Sequence, residues 1–327
     1  MATTQVKNIQ DINHDIPDFV TEMCKKIGVL DYIPKTVPKS LSFELHNTTS
    51  AVANAFRRCI NDELEVLLMY FDTHDLICTD PFIISREVQR SINLIPIKQI
   101  SNMVFSINVY NDTNDIMYIT SRDIKENGKS TEDKFSQTFI IAELKPGREF
   151  KIKNIKIKSG IGFKDGAKFS FPDRVGYECL DLDINDFKSS MEVEPTQYKL
   201  TIKNQQFTEP RTIIKYAAKT LEQKLEVIGK LVEEYQSSSI RSSTKLEIYK
   251  DGTMTRYKIY DETYTIGNLI VKYIYDTDPS IKIVSCVKKF TSDKFIIINV
   301  KHPDADTLIS KSIERAKKEI NAVGIAF

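Results

Sequence analysis

Along residues 49–62, "TSAVANAFRRCIND", apolar and polar positions recur with the spacing of a helix that has one buried face. The same pattern returns at 263–276, "TYTIGNLIVKYIYD". In register, Val52 falls on Ile266, Ala53 on Gly267, Asn54 on Asn268, Phe56 on Ile270, Arg58 on Lys272 and Ile60 on Ile274. On a helical wheel Val52, Ala55, Phe56, Cys59 and Ile60 fill one arc, and Ile266, Leu269, Ile270, Tyr273 and Ile274 fill its counterpart. Asn54, Arg57 and Arg58 take the opposite side of the first helix, as Asn268 and Lys272 do in the second.

Alternating segments flank both helices. "SLSFELHN" and "TRYKIYD" precede them as strands, and "EVLLMYFD" and "SIKIVSCVKKF" follow them. The second copy then turns at "TSDK" into the strand "FIIINVKH" and closes with a helix after Pro303, apolar at Ile309, Ile313, Ala316, Ile320 and Val323. The first copy closes the same way, with "QYKLTIKNQ" (197–205) and a long helix opened by Pro210, apolar at Ile214, Ala217, Leu221, Leu225, Ile228 and Val232. The pattern predicts strand–helix–strand–strand–helix twice. The near-heptad stripes of the closing helices, Ile214, Leu221, Leu225 and Ile228 against Ile313 and Ile320, are expected to join the copies as a pseudo-twofold pair.

The expected fold class is therefore α+β, with two homologous domains, the first of them interrupted. The first copy spans 39–74 and 195–236, around an inserted, mainly β domain at 75–194. That insertion is rich in short strands, with turn signals at "ENGK", "KPGR" and "KDGAK" and one helix in "PFIISREVQRSI". A polar linker occupies 237–244 and the second copy 245–327. Residues 1–38 form an N-terminal extension with a short helix in "PDFVTEMCKKIGVL".

Composition narrows the function classes. An apolar content of 41% with 28% charged residues is that of a globular chain, and a net charge of +1 gives no global field for nucleic acid or membrane. The first residues lack an apolar core of signal-peptide length, and runs such as "FIIINV" are too short to span a bilayer. Cys24, Cys59, Cys78, Cys179 and Cys286 are scattered without a CxxC pair, which favours free thiols in an intracellular protein over a zinc site.

Three local motifs fall short of the chemistry they suggest. "DLDINDFKSSME" (181–192) places Asp181, Asp183, Asn185, Ser189 and Glu192 at calcium-loop positions, but Asp186 stands where the sharp turn needs glycine. "GIGFKDGAK" (160–168) has the glycines of a phosphate cradle, yet no helix is expected after it, so it reads as a loop. The lysines of "KIKNIKIK" (151–158) read as the solvent side of a strand. His14, His46, His74 and His302 are dispersed, and no catalytic grouping emerges. A metal- or nucleotide-binding enzyme built on the inserted domain is the alternative that these motifs would support. The polar face of the repeated helix is of a kind usually left to solvent. Its small neighbours Ala51, Ala53 and Gly267 favour a docking face instead.

"FELHNTTSAVANAFRRCINDELEV" resembles the signature region of the alpha-like subunits of multisubunit RNA polymerases: the bacterial alpha N-terminal domain, its larger archaeal counterpart and the third-largest subunit of eukaryotic RNA polymerase II. "PFIISREVQRSINLIPI" and "AELKPGREFKIKNIKIKSGIGFKDGAKFSF" are similar to that family's following helix and lysine–glycine strand. "YDETYTIGNLIVKYIYDTDPSIKIVSCVKKF" resembles the smaller partner, which is the eleventh eukaryotic subunit or its small archaeal equivalent. The resemblance runs in order from about residue 40 to 325, and a fusion of both subunits is similar to those of nucleocytoplasmic large DNA viruses.

The resemblance implies a non-catalytic assembly platform for viral transcription. Magnesium and the chemistry would belong to the two large subunits. The Asn54–Arg57–Arg58 face is expected to meet the second-largest subunit, and the Asn268–Lys272 face to lean toward the largest. A small zinc-binding polymerase subunit is a further expected partner. DNA and RNA are expected to be met only indirectly, and a membrane not at all. The implied location is the virion and the cytoplasmic viral factory, with the host nucleus as another. The family's zinc or iron–sulfur cluster is not expected, because only Cys78 and Cys179 lie in the inserted domain.

Overall fold

The computed structural model describes residues 3–13, 39–97, 104–131, 138–170, 174–181, 194–203, 209–237, 245–290 and 292–327, with Glu22, Lys25 and Phe135. The first sheet takes β1 (Gln5–Asn13), β2 (Lys39–His46), β11 (Arg174–Cys179) and β12 (Gln197–Lys203) in the antiparallel order β1-β2-β12-β11. β13 (Leu246–Asp251), β14 (Met254–Tyr260), β15 (Val284–Val287) and β16 (Phe295–Lys301) repeat that order as β13-β14-β16-β15. Helix α1 (Ser50–Arg58) follows β2 and runs into a π turn at Cys59–Glu63.

The excursion from the first copy contains β3 (Glu65–Tyr70), β4 (Leu76–Cys78), α2 (Ser85–Asn93), β5 (Phe105–Tyr110) and β6 (Met117–Thr120). It continues through β7 (Lys125–Glu126), β8 (Lys129–Ser130), β9 (Ile140–Leu144), the long β10 (Glu149–Ile161) and the single turn α3 (Gly162–Asp165). β3, β10, β5, β7 and β8 form one sheet in that order, with β4 also on β10, while β6 and β9 pair separately. The expected "ENGK" turn is the β7–β8 hairpin, where Asn127 and Gly128 take the positive φ that a tight two-residue connection requires. The remaining helices are α4 (Pro210–Ser237), α5 (Tyr264–Thr277) and α6 (Ala305–Ile325).

Three expectations change. "EVLLMYFD" does not supply the strand after α1 in the first sheet; β3 pairs with β10, and Met69 and Phe71 feed the excursion's own core. Its place is taken by β11, which lies on β12 as β15 lies on β16. The first sheet is therefore left after Glu63 and rejoined at Arg174, not at 75 and 194. Residues 5–13 are likewise part of the first sheet, where β1 pairs with β2 as β13 pairs with β14. Lastly, "GIGFKDGAK" is not wholly loop but contains a single helical turn, α3, and two of its glycines serve packing. A Cβ at Gly160 would meet the Phe169 ring at 2.8 Å, and one at Gly162 would meet Ser170 Oγ at 2.9 Å. The proposed helix within 17–30, the linker 238–244 and calcium-loop positions 183–192 lie outside the described residues.

Every apolar position of both repeated helices' inner arcs is buried. One continuous core joins the two four-stranded sheets through α1, α4, α5 and α6, and the excursion has a second core. Ile214, Leu221, Leu225, Ile228, Ile313 and Ile320 all lie in the shared core. α4 and α6 run antiparallel: Gly229 sits beside Ile313, and a Cβ on Gly324 would stand 2.9 Å from that of Ala218.

Candidate interface and the polar junction beneath it

The two repeated helices start at equivalent residues, with Thr49 and Thr263 as their N-caps. Ala53 and Gly267 are buried and face the chain's own interior, so two of the small residues do not border an open docking face. A Cβ on Gly267 would overlap Cys286 Sγ of β15 and lie 2.9 Å from Ile296 Cδ1 of β16. Close helix-on-sheet packing is what the glycine permits.

The expected interface residues divide into two groups. Asn54 Oδ1 accepts from Arg57 Nε at 3.0 Å and Nη2 at 2.8 Å, which locks the guanidinium fork along the half-buried outer side of α1. Asn268 is exposed on α5. Arg58 instead turns toward the other copy, its Nε donating to Thr265 Oγ1 at 3.1 Å. Lys272 also crosses, pairing with Glu194 just ahead of β12 and with Asp276 at 3.2 Å. Burial opposes the Lys272 charge, but those carboxylates outweigh it and raise its pKa. Arg58 and Lys272, expected on outward docking faces, therefore make contacts between the copies.

Beneath this face lies a polar junction that sequence reasoning missed. The π turn, closed by Leu64 N–H donating to Cys59 O at 3.1 Å, delivers the carboxylate of Glu63 into a site where it is 2% exposed. Lys224 Nζ of α4 donates to Glu63 Oε2 at 2.6 Å and to Glu262 Oε2 at 3.3 Å. Thr263 and Thr265 donate to Glu63 Oε1 at 2.7 and 2.5 Å. Phe163 of α3 lies against Lys224, with 5.1 Å between the ammonium and the ring centroid. The first copy, the second copy and the excursion thus meet at one ammonium.

Electrostatics distinguish the two carboxylates. Burial pushes the Glu63 pKa up, but the Lys224 charge and hydrogen bonds from Lys224, Thr265 and Thr263 hold it below the ordinary range. Glu262 is half-buried; its desolvation and the added repulsion of Glu63 outweigh what Lys224 supplies, so its pKa is raised. Lys224 is disfavoured as a cation by burial, yet Glu262 and Glu63 raise its pKa. One sequence signal points here. Lys224 stands three residues after Leu221 and four before Ile228, a charge in the middle of an apolar stripe.

The remaining candidate chemistry is dispersed. Asp181 Oδ2 accepts from Thr196 N at 2.7 Å and Thr196 Oγ1 at 3.0 Å, which commits it to the local turn. Asp72, His74 and Asp75 bring ligand atoms within 4.8 Å of one another. They lie at the surface, where Asp72 accepts from Tyr70 and Asp75 from Asn154. Cys59, Cys78, Cys179 and Cys286 are free thiols, and burial pushes Cys286 up to about 12. Among the described residues no helix is long and apolar enough to cross a membrane.

Comparison with known proteins adds to this geometry. No family model matches the chain. It is 27% identical over 328 aligned residues to the DNA-directed RNA polymerase RPB3-11 homolog of African swine fever virus from a Namibian warthog isolate, covering 90% of this chain and 89% of that protein. A South African tick isolate gives the same figures, and the Badajoz strain gives 26% over the same shares. The chain is similar over most of its length to these RPB3-11 homologs of DNA-directed RNA polymerase. The unmatched tenth of this RPB3-11-like chain is too short to hold either copy of the repeat, so the likeness extends to both.

Proposed function

We propose that this chain is a structural, non-catalytic subunit of a DNA-directed RNA polymerase, on which the two large catalytic subunits assemble during viral transcription. The observation that carries this reading is the repeat: two sheets of identical strand order, each with a helix starting at an equivalent threonine, share one core through α4 and α6. This supports the reading of the two copies as a pseudo-twofold pair of dimerisation domains held in one chain. A rigid pair offers two related but chemically distinct outer faces, as a platform for two different partners requires. The Asn54–Arg57 fork on α1 meets the second-largest subunit, and the α5 side around Asn268 leans toward the largest. A small zinc-binding subunit joins the same assembly. The place of action is the virion and the cytoplasmic viral factory. The subunit itself contributes no catalytic group.

Co-expression with the two large subunits tests this reading. Affinity capture of the tagged chain should retain both in stoichiometric amounts. Replacing Arg57 by Glu should selectively weaken retention of the second-largest subunit while leaving the melting temperature of the isolated chain unchanged. Capture of neither large subunit by the folded wild-type chain would overturn the proposal.

A further inference from the structure

We infer that the Glu63–Lys224–Glu262 cluster is the discriminator by which the first copy pairs with the second and rejects a copy of its own kind. The inference rests on the reading of the two copies as pairing partners. The register of the repeat supplies the argument. It places Glu262 where the first copy has Thr48, Thr263 where it has Thr49, Thr265 where it has Ala51, and Thr277 where it has Glu63. The residues that satisfy Glu63 therefore come from the second copy's entry turn, together with Lys224 from α4.

A pairing of like with like would leave this chemistry unmatched. Two first copies would set Glu63 against Thr48, Thr49 and Ala51. The Thr265 donor to Glu63 and the Thr265 acceptor of Arg58 would be lost, and Lys224 would lose Glu262. Two second copies would bury Glu262 without Lys224 and oppose it with Thr277, whose hydroxyl already donates to Tyr273 O at 2.7 Å. A buried ion pair adds little net stability over an apolar replacement, whereas breaking it strands a charge. Such a cluster therefore acts mainly by penalising the wrong partner. The equivalent entry turn of the first copy carries no charge, and its Thr48 and Thr49 hydroxyls are buried without hydrogen-bond partners among the described residues. The discriminator is thus present in one of two related places.

A tether holds the copies at high effective concentration, so the test uses the whole protein cut once, at a protease site introduced between Ser238 and Ser243. The two pieces are unfolded together in urea, refolded, and their pairing read by native mass spectrometry. Wild type should return only mixed pairs. Glu262→Thr/Thr265→Ala, which gives the second entry turn the first copy's residues, should yield pairs of two first pieces. Glu63→Leu/Lys224→Met/Glu262→Leu should approach a statistical mixture of all pairs with an unchanged or higher melting temperature. For any variant that refolds poorly after cutting, the uncut chain is refolded at high concentration, where at least a tenfold rise in exchanged dimers over wild type is expected. Like pairs from wild type, or variants that stay wholly mixed when cut and monomeric when uncut, would overturn the inference. Wild-type pieces that separate altogether would instead refute the pairing of the copies itself.

Discussion

Helices α1 and α5 share a register and an N-cap residue type, yet their ends are finished differently. α5 begins with Thr263 fully engaged, donating to Glu63 and accepting from the Thr265 amide at 3.2 Å. α1 begins with Thr49, whose hydroxyl makes no cap bond. At the other end α1 widens into a π turn to present a carboxylate, while α5 runs on regularly to Thr277. The shared features are those that build a core. The divergent ones sit where the copies meet, and there a difference carries information that symmetry cannot.

The sharpest way to break this comparison is to remove the ammonium that serves one side only. Lys224→Met should leave the buried Glu63 and the half-buried Glu262 without their shared cation and cost about 3–5 kcal/mol in urea unfolding. Lys272→Met, on α5 at the register position of Arg58 and with a partner, Glu194, that is 78% exposed, should cost no more than about 1 kcal/mol. Equal costs would mean that the two sides are energetically alike.

This asymmetry also marks how far the sequence can be read. The inner arcs of α1 and α5 and the stripes of α4 and α6 are legible because helical periodicity records burial directly. β1 escapes notice because an edge strand buries less and patterns weakly: "QVKNIQDIN" has no clean alternation. β3 is easily placed in the wrong sheet because an apolar strand carries no label for the core that it enters. In the candidate interface, the wheel gives the side on which Arg58 and Lys272 lie but not their reach across to another element. Glu63 is hidden because its role depends on a π turn, which no residue spacing announces.

Next in size is the packing difference between the helices. Gly267→Ala should destabilise by about 1–3 kcal/mol through overlap with Cys286, less up to about 1 kcal/mol of gained helix propensity. Adding Cys286→Ala should restore most of the loss. At the equivalent position Ala53→Gly should cost about 1–2 kcal/mol, from propensity and the loss of a buried methyl, with no overlap to relieve. Thermal melts of these variants would show whether the two helices really differ in their distance from the sheet.

A smaller effect should appear in pH titrations of stability. The raised pKa of Glu262 means that the folded chain binds this proton more tightly than the unfolded one. Its contribution is therefore favourable below the ordinary carboxylate range and is lost as pH rises through the raised value. Glu63 works in the opposite sense: its contribution is present above the ordinary range and lost as pH falls through the lowered value. Glu262→Gln should abolish the first slope and leave the second. A wild-type melting temperature that falls steadily from neutral pH downward, with no initial rise relative to Glu262→Gln, would contradict the assignment.

The least effect on the fold is expected at the outer faces. Asn54→Ala and Asn268→Ala should each change stability by no more than about 0.5 kcal/mol, because both side chains lie outside the core. A difference between them should show only in retention of the large subunits.

The seam where the chain leaves and rejoins the first sheet has a consequence for how the protein is made. Ser170 Oγ lies 3.3 Å from Asp62 Oδ1, and the Val175 amide donates to Asn61 Oδ1 at 3.3 Å, so departure and return points touch. In the second copy, α5 reaches β15 across residues 278–283; in the first, the corresponding gap contains an entire folded body with its own core. Closing a loop costs entropy that grows only with the logarithm of its length. Once that body is structured, its two ends are already neighbours, and the remaining closure is that of a short connection. During synthesis the excursion can condense first and present β11 to β12 as they emerge, so that the largest interruption in the chain becomes a jig for the sheet it interrupts.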